Sequence, residues 1–287
     1  MAKKTVNKRK KLYICVSVLL CIYAISMLLP CWYLLINSFK SIDDYTSKMN
    51  FWGFPEKFEF GNYMQAFTYE VGAEKATIPL LYLNSIVFTI VSVLLATVAV
   101  VVVSYACARF EFRGKGLIVA LGIGALVFPD FGSTSVIYRL FTNLGWLGTW
   151  WVLLPKGSPF GLMFLILYSQ FKTVSKTYAE AAKIDGASEL RIFIQIMIPM
   201  VKGPVGMSMV MSAIGAWNDY YTPYMYFNNK LPTLALGMQQ LATDPNSANN
   251  YPLVYAVMVI CIVPLMVLFV SMRDVIIENA AAGGIKG

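Results

Sequence analysis

Histidine is absent from all 287 residues. That removes the Ser-His-Asp triad, Cys-His nucleophile pairs and histidine-ligated metal sites. No GxxxxGK[ST] stretch occurs, so the chain has no phosphate-binding P-loop of its own. Charge is scarce too: 13% of residues are Asp, Glu, Lys or Arg, against about 25% in soluble domains. The five cysteines (Cys15, Cys21, Cys31, Cys107 and Cys261) all lie in apolar runs, and none forms a CxxC pair. They read as small packing residues rather than ligands or bridges. A catalytic carboxylate pair would have to use Asp130 and Asp219, which are far apart in sequence. These absences argue against an enzyme and against any cofactor or metal held by this chain.

What is present is apolar: 58% of the residues are hydrophobic. A soluble surface needs more charge than this chain carries, so lipid is the expected solvent for much of it. No charged residue falls between Lys11 and Lys40, between Lys75 and Arg109, or between Asp244 and Arg273. Each run exceeds the roughly 20 residues that a helix needs to cross a bilayer core. Three further stretches are less clean. Residues 116–138 are broken by "FPDFG", 150–171 contain Lys156, and 204–226 contain Asp219. They are either spans or short re-entrant pieces; spans give an even number, which the charge distribution favours. The expected class is therefore all-α, a polytopic membrane protein with six transmembrane helices at about 13–39, 80–108, 116–138, 150–171, 204–226 and 252–272. Residues 1–12 would form a basic tail and 13–287 a single membrane domain.

The opening "MAKKTVNKRKKLYICVSVLL" resembles a signal peptide but shows no small-residue cleavage site, so it reads as a retained anchor helix. Its basic cluster should stay in the cytoplasm. A nucleic-acid role for this cluster and the +8 net charge has no basic domain behind it. With six spans, the inside pieces 1–12, 109–116, 172–203 and 272–287 hold six, three, five and two of the 23 basic residues. The remaining seven fall outside, as the positive-inside rule requires. The external loops 40–80 and 227–251 are longer than connectors need to be. Each is a candidate to meet an external partner, the first through the aromatic "NFWGFPEKFEFGNY".

Inside the spans, Asp219 in "AWNDYYTPY" stands out. An acid there either lines a protein interior or water path with Trp217 and Asn218, or reaches the outer interface from a helix end. Asn84 and Ser85 either line the same path or knit helices together by hydrogen bonds.

The longest inside loop, 172–203, is patterned as two short helices. "VSKTYAEAAKI" carries strong helix formers behind Ser175, Gly186 can end the helix in the left-handed conformation, and Ser188 can cap the next. Pro199 precedes the fifth span. An amphipathic element lying on lipid would fit the pattern. It leaves unexplained the small residues Ala179, Ala181, Ala182 and Ala187 around the acids Glu180 and Asp185, which suit docking into a protein groove.

Here "EAAKIDG", followed after nine residues by "IMIP", resembles the EAA loop of bacterial ABC import permeases, through Glu180, Ala181, Ala182, Gly186, Ile196 and Pro199. "LNSIVFTI", "YACARFEFRGKG", "AWNDYYTPY" and the terminal "GGIKG" are similar to the carbohydrate-import, maltose-transporter-like branch. The likeness runs over about residues 30–287; Ile198 departs conservatively from the more usual Leu. The resemblance implies a permease paired with a second, homologous permease and two ATPase subunits that carry ATP and magnesium. It also implies a solute-binding protein delivering sugar at the outer face, a bacterial cytoplasmic (inner) membrane location, and both termini in the cytoplasm. Residues 172–203 would be the coupling loop, with Glu180 as polar anchor, Gly186 as turn and Pro199 as re-entry, and the tail "AAGGIKG" would also reach the ATPases. Two other classes stay open: an ion-coupled transporter using Asp219 or Asp130, and a non-transporting membrane assembly protein.

Overall fold

The computed structural model describes residues 2–72, 75–127, 133–228, 230–243 and 250–283. In lipid every backbone polar group must be satisfied internally, and a helix does this within one segment. The described residues are accordingly helical almost throughout. In chain order the helices are α1 (Ala2–Ser38), α2 (Gly61–Thr68), α3 (Ile78–Arg109), α4 (Lys115–Val127), α5 (Ser133–Asn143), α6 (Leu162–Thr173), α7 (Lys176–Ile184), α8 (Glu189–Ile192), α9 (Ile198–Met200), α10 (Lys202–Trp217), α11 (Tyr221–Tyr226), α12 (Leu234–Thr243) and α13 (Tyr251–Gly283). Strand structure among the described residues is limited to two dipeptides, β1 (Glu70–Val71) and β2 (Ala76–Thr77).

Among the described residues, three stretches are long and apolar enough to cross a membrane without interruption: Tyr13–Ser38, Ile78–Arg109 and Tyr251–Ser271. They overlie the three charge-free runs. Of the three less clean stretches, two are interrupted within the described residues. Residues 150–171 form a 3-10 helix, Trp150–Gly157, and then α6, with a 50° bend between them. Pro155 lacks an N–H, Pro159 follows, and Gly161 takes a φ of 115°, so a straight helix cannot pass. In 204–226, α10 stops at Trp217 and α11 resumes at Tyr221. In 116–138, α4 ends at Val127 and α5 begins at Ser133, while residues 128–132, Asp130 among them, lie outside the described residues.

The chain divides into two compact units, Met1–Val71 with Gln240–Val263 and Gly72–Gln239 with Pro264–Gly287. In the first, every residue from Tyr13 to Trp32 of α1 is exposed, the surface a lipid-facing helix presents. Past Trp32 the helix becomes buried and polar groups turn inward. The Tyr45 hydroxyl lies 3.1 Å from that of Tyr33 and 2.8 Å from that of Tyr255, joining α1, the segment after it and α13 by phenol hydrogen bonds.

In the second unit α3 is central, packing on α6 and α10. Its small residues and those of α4 allow close approach, as expected where packing rather than hydrophobic exclusion drives helix association. At Gly122 of α4, a Cβ would stand 2.4 Å from a ring carbon of Phe164 in α6, and that ring is fully buried. Gly122→Val is therefore expected to lower stability by about 1–3 kcal/mol through overpacking. Gly116→Ala, on the same helix with open space around it, should be neutral. Thermal unfolding of the purified protein in detergent distinguishes the two.

Candidate coupling site

The loop after α6 is built from local rules. Ser175 caps α7, its side chain accepting the Thr177 N–H at 3.3 Å. α7 ends in a paired reversal: Gly186 N–H donates to the Lys183 carbonyl at 3.0 Å, and Ala187 N–H to the Ala182 carbonyl at 2.9 Å. This pattern requires a left-handed residue, which Gly186 supplies with a φ of 81°. The Ser188 side chain then accepts the Arg191 N–H at 3.3 Å and starts α8. From α8 the chain runs through a wide helical turn, Phe193–Met197, into α9, and bends by 83° between Met200 and Lys202. Pro199 stands just ahead of this bend, where a proline is tolerated only near a helix start.

An ion pair between Lys183 and Glu189 closes the turn. Hydrogen bonding to that carboxylate holds the Lys183 ammonium above its ordinary range. Both side chains are about half exposed, so the pair orients the turn more than it stabilises it.

Tertiary contacts divide the expected site residues in two. Ala182 is buried in a core with Tyr105 and Cys107 of α3 and Phe164 and Phe171 of α6; Ala187 and Ile196 pack on it, and Ile192 and Met197 are fully enclosed. The Tyr105 ring meets those of Phe171 and Phe193 at 5.4 Å and 4.6 Å. Arg109, at the end of α3, donates to the Val174 carbonyl at 2.7 Å and fastens the start of the loop. Glu180, Ala181, Asp185 and Gly186 are exposed instead, as is Pro199. Three apolar side chains of the same loop are exposed as well: Tyr178, Leu190 and Ile184, the last 87% exposed. A cleft of about 170 Å³ in this region is lined by Arg109, Phe110, Lys176, Glu180, Lys183 and Glu189.

Ile184 and Leu190 were not singled out by sequence reasoning. Their signal was an apolar residue on either side of the "DGAS" turn, which reads equally well as packing. Ala181 and Ile184 stay outside while Ala182 turns in.

The second group of expected residues lies elsewhere in the same unit. Asn84 Nδ2 donates to the Pro232 carbonyl at 2.9 Å, and its neighbour Ser85 accepts the Leu234 N–H at 2.7 Å. Both residues therefore hold part of the loop 227–251, whose residues 229 and 244–249 fall outside the described residues. Trp217 packs edge-on against Tyr82 at 6.2 Å. Asn218 closes α10 by donating to the Ile214 carbonyl at 2.9 Å. Asp219 sits in the break after α10 rather than within a helix. It accepts from Lys156 at 2.6 Å and from the Thr222 N–H and hydroxyl at 2.9 and 2.6 Å. Only 12% of the Asp219 side chain is exposed. Sequence reasoning missed Lys156 as its partner, although each is the lone charge in its apolar stretch. The tail "AAGGIKG" leaves the described residues after Gly283.

Residues 75–278 match the family described as binding-protein-dependent transport system inner membrane component. The melibiose/raffinose/stachyose import permease protein MelC of Bacillus subtilis (strain 168) is 29% identical over 276 residues, covering 95% of this chain and 96% of the relative. The diacetylchitobiose uptake system permease protein NgcG of Streptomyces coelicolor is 28% identical over 268 residues, covering 92% and 86%. Among solved structures, a chain of a bacterial ABC transporter involved in the import of the acidic polysaccharide alginate shares the fold. Its TM-score is 0.76 at 21% identity, with 91% of this chain and 95% of that chain covered. The family match takes in the loop 172–203, both bent helix pairs and most of α13, and on that extent the chain belongs to the binding-protein-dependent transport system inner membrane components, which are transport permeases rather than enzymes.

Proposed function

We propose that this chain is one permease subunit of an ATP-driven importer that takes up a sugar or oligosaccharide handed over by a solute-binding protein. The observation that carries this reading is the exposed apolar surface of Tyr178, Ile184 and Leu190, flanked by Glu180 and Asp185. A permanently lipid-facing surface would not hold two carboxylates beside its most exposed isoleucine; a groove in a soluble ATPase accommodates both. Glu180, Ala181, Asp185 and Gly186 then belong to the docking face. Ala182, Ala187 and Ile196 transmit the force, because they tie that face to α3 and α6. ATP and magnesium sit on the ATPase pair. Closure of that pair moves the docked helices, and the stiff turn at Gly186 passes the motion into the bundle, switching a path shared with a second, homologous permease between inward and outward access.

Residues 13–287 form a single permease domain, with the N-terminal basic cluster and the C-terminus in the cytoplasm; the family match crosses both compact units, which supports this. Trp217, Asn218 and Asp219 stand beside the path as its structural wall. An ion-coupled transporter is not supported: the family depends on a binding protein, and Asp219 is committed to Lys156 and Thr222. Asp130 lies outside the described residues. A non-transporting assembly protein is not supported either.

The relatives named above for melibiose, raffinose, stachyose and diacetylchitobiose import direct the choice of cargo towards oligosaccharides. Cells lacking this chain should lose uptake of a labelled oligosaccharide that its solute-binding protein holds, and keep amino-acid uptake. Retained uptake of every sugar in an α-galactoside, chitobiose and arabino-oligosaccharide panel would overturn the sugar assignment.

A further inference from the structure

The segment that follows α1 folds with its polar groups inward and its aromatic rings outward. Asn37, Ser38 and Lys40 are fully buried and Asp44 nearly so. Asn37 Nδ2 donates to the Phe51 carbonyl at 3.1 Å, and the Lys40 ammonium to the Asn50 carbonyl. Asp44 accepts from Asn50 Nδ2 at 3.0 Å and from the Glu56 N–H at 3.1 Å. Asn62 Nδ2 donates to the carbonyls of Ser38 and Lys40, both at 2.9 Å. This network holds residues 49–62 as a fixed shape. On the outside of that shape Trp52 is 73% exposed and Phe54 69%, with Phe58 and Phe60 also exposed. Exposed charges, Lys48 and Glu56 among them, share this outside, but so many large exposed rings in one short segment are unusual for a loop that faces water alone.

Ring contacts say where this surface stands relative to the bilayer. Trp52 packs on Tyr33 at 5.0 Å and Phe54 on Trp32 at 5.9 Å. Those partners lie in the last two turns of the apolar run Tyr13–Ser38, about 7–9 Å before its end. The chain thus leaves the apolar run and folds back alongside its last two turns, returning Trp52 and Phe54 to the level of Tyr33 and Trp32. Phe58 and Phe60 pack on Phe39, just past the end of the run, at 5.7 and 5.3 Å. In sequence Glu56 and Lys57 lie between the two ring pairs and Glu59 within the second, all three exposed. Aromatic side chains favour this zone because their rings sit at the boundary of the acyl chains and the headgroups.

We propose that residues 49–60 are an interfacial anchor, with Trp52 and Phe54 inserted into the outer leaflet of the bilayer rather than presented to a soluble partner. Lipid is the occupant because the exposed rings continue the exposed face of α1 at its own membrane boundary. The anchor locks the outer end of α1 at a set depth, giving the moving bundle a fixed point. It rests on membrane insertion of this chain and not on the nature of the cargo.

The test uses the assembled transporter in lipid nanodiscs and the difference in tryptophan emission between the native chain and Trp52→Phe, which isolates Trp52. Phospholipids brominated near the headgroup end of the acyl chain should remove most of that emission. Deep-brominated lipids should remove less, and aqueous iodide little. Strong iodide quenching with none from brominated lipid would overturn the proposal in favour of a water-exposed loop. Shielding from both quenchers would overturn it in favour of a protein cover.

Discussion

Ile184→Asp combined with Leu190→Asp is expected to leave the permease folded and abolish its union with the ATPase. Both side chains point away from the chain's own core, so their loss removes no internal packing. In a docked complex each would be desolvated, and truncating such an apolar anchor costs about 2 kcal/mol or more, roughly a thirty-fold loss of affinity per residue. A carboxylate placed in an apolar seat adds a desolvation penalty. Co-purification of the ATPase should fall to background, and ATP-driven uptake with it, while the melting temperature of the permease stays unchanged. Ala182→Asp provides the contrast: two residues before Ile184, it buries an unpaired charge in the core that also holds Phe171 and should unfold the loop instead. Full ATPase recovery and full uptake in the Ile184/Leu190 variant would remove the coupling face from this surface. Gly186→Ala tests the turn separately. No atom lies near the added methyl, so its cost is the left-handed backbone alone, about 1–2 kcal/mol.

The second large effect is expected at Lys156. Lys156→Met should lower stability by about 3 kcal/mol, because it leaves the enclosed carboxylate of Asp219 with only Thr222 for company. Asp219→Asn should cost less. The amide oxygen still accepts from Thr222, and the Lys156 side chain, 36% exposed, can turn its ammonium toward water. The double variant should recover most of the loss, since it removes both charges together, and the excess over additivity measures their coupling. Thermal unfolding of the four proteins supplies that number. Additive effects would mean that the 2.6 Å contact contributes nothing. The pair joins the 3-10 helix Trp150–Gly157 to the break before α11, so it bridges two of the interrupted spans exactly where their backbones leave helical geometry. Transport assays on the double variant would then show whether the bridge serves only to hold those breaks together.

The coupling loop was legible because its instructions are local. Ser175, Gly186 and Ser188 act through backbone groups no more than five residues away, and each took the role that its side chain or its lack of one permits. The breaks in the later spans were less legible. Pro155, Pro159 and Gly161 carried the signal for the first, which was not used, and an apolar run around Asn218 and Asp219 reads as continuous until the side chains are seen bonding to their own backbone and to Lys156. The aromatic stretch at 51–60 was legible only in part. Rings in a long loop suggested a surface for a partner, and only the contacts of Trp52 and Phe54 with α1 revealed that the loop folds back.

The sequence by itself therefore determined the solvent, the uninterrupted spans and the helix-turn-helix of the coupling loop, because charge content, run length and capping act over a few neighbouring residues. Tertiary structure alone decided which side of that loop faces outward, which lysine answers Asp219, and where the aromatic segment lies. Each of those depends on residues tens of positions apart meeting in space, and a pattern of spacing along one strand of chain carries no record of such a meeting.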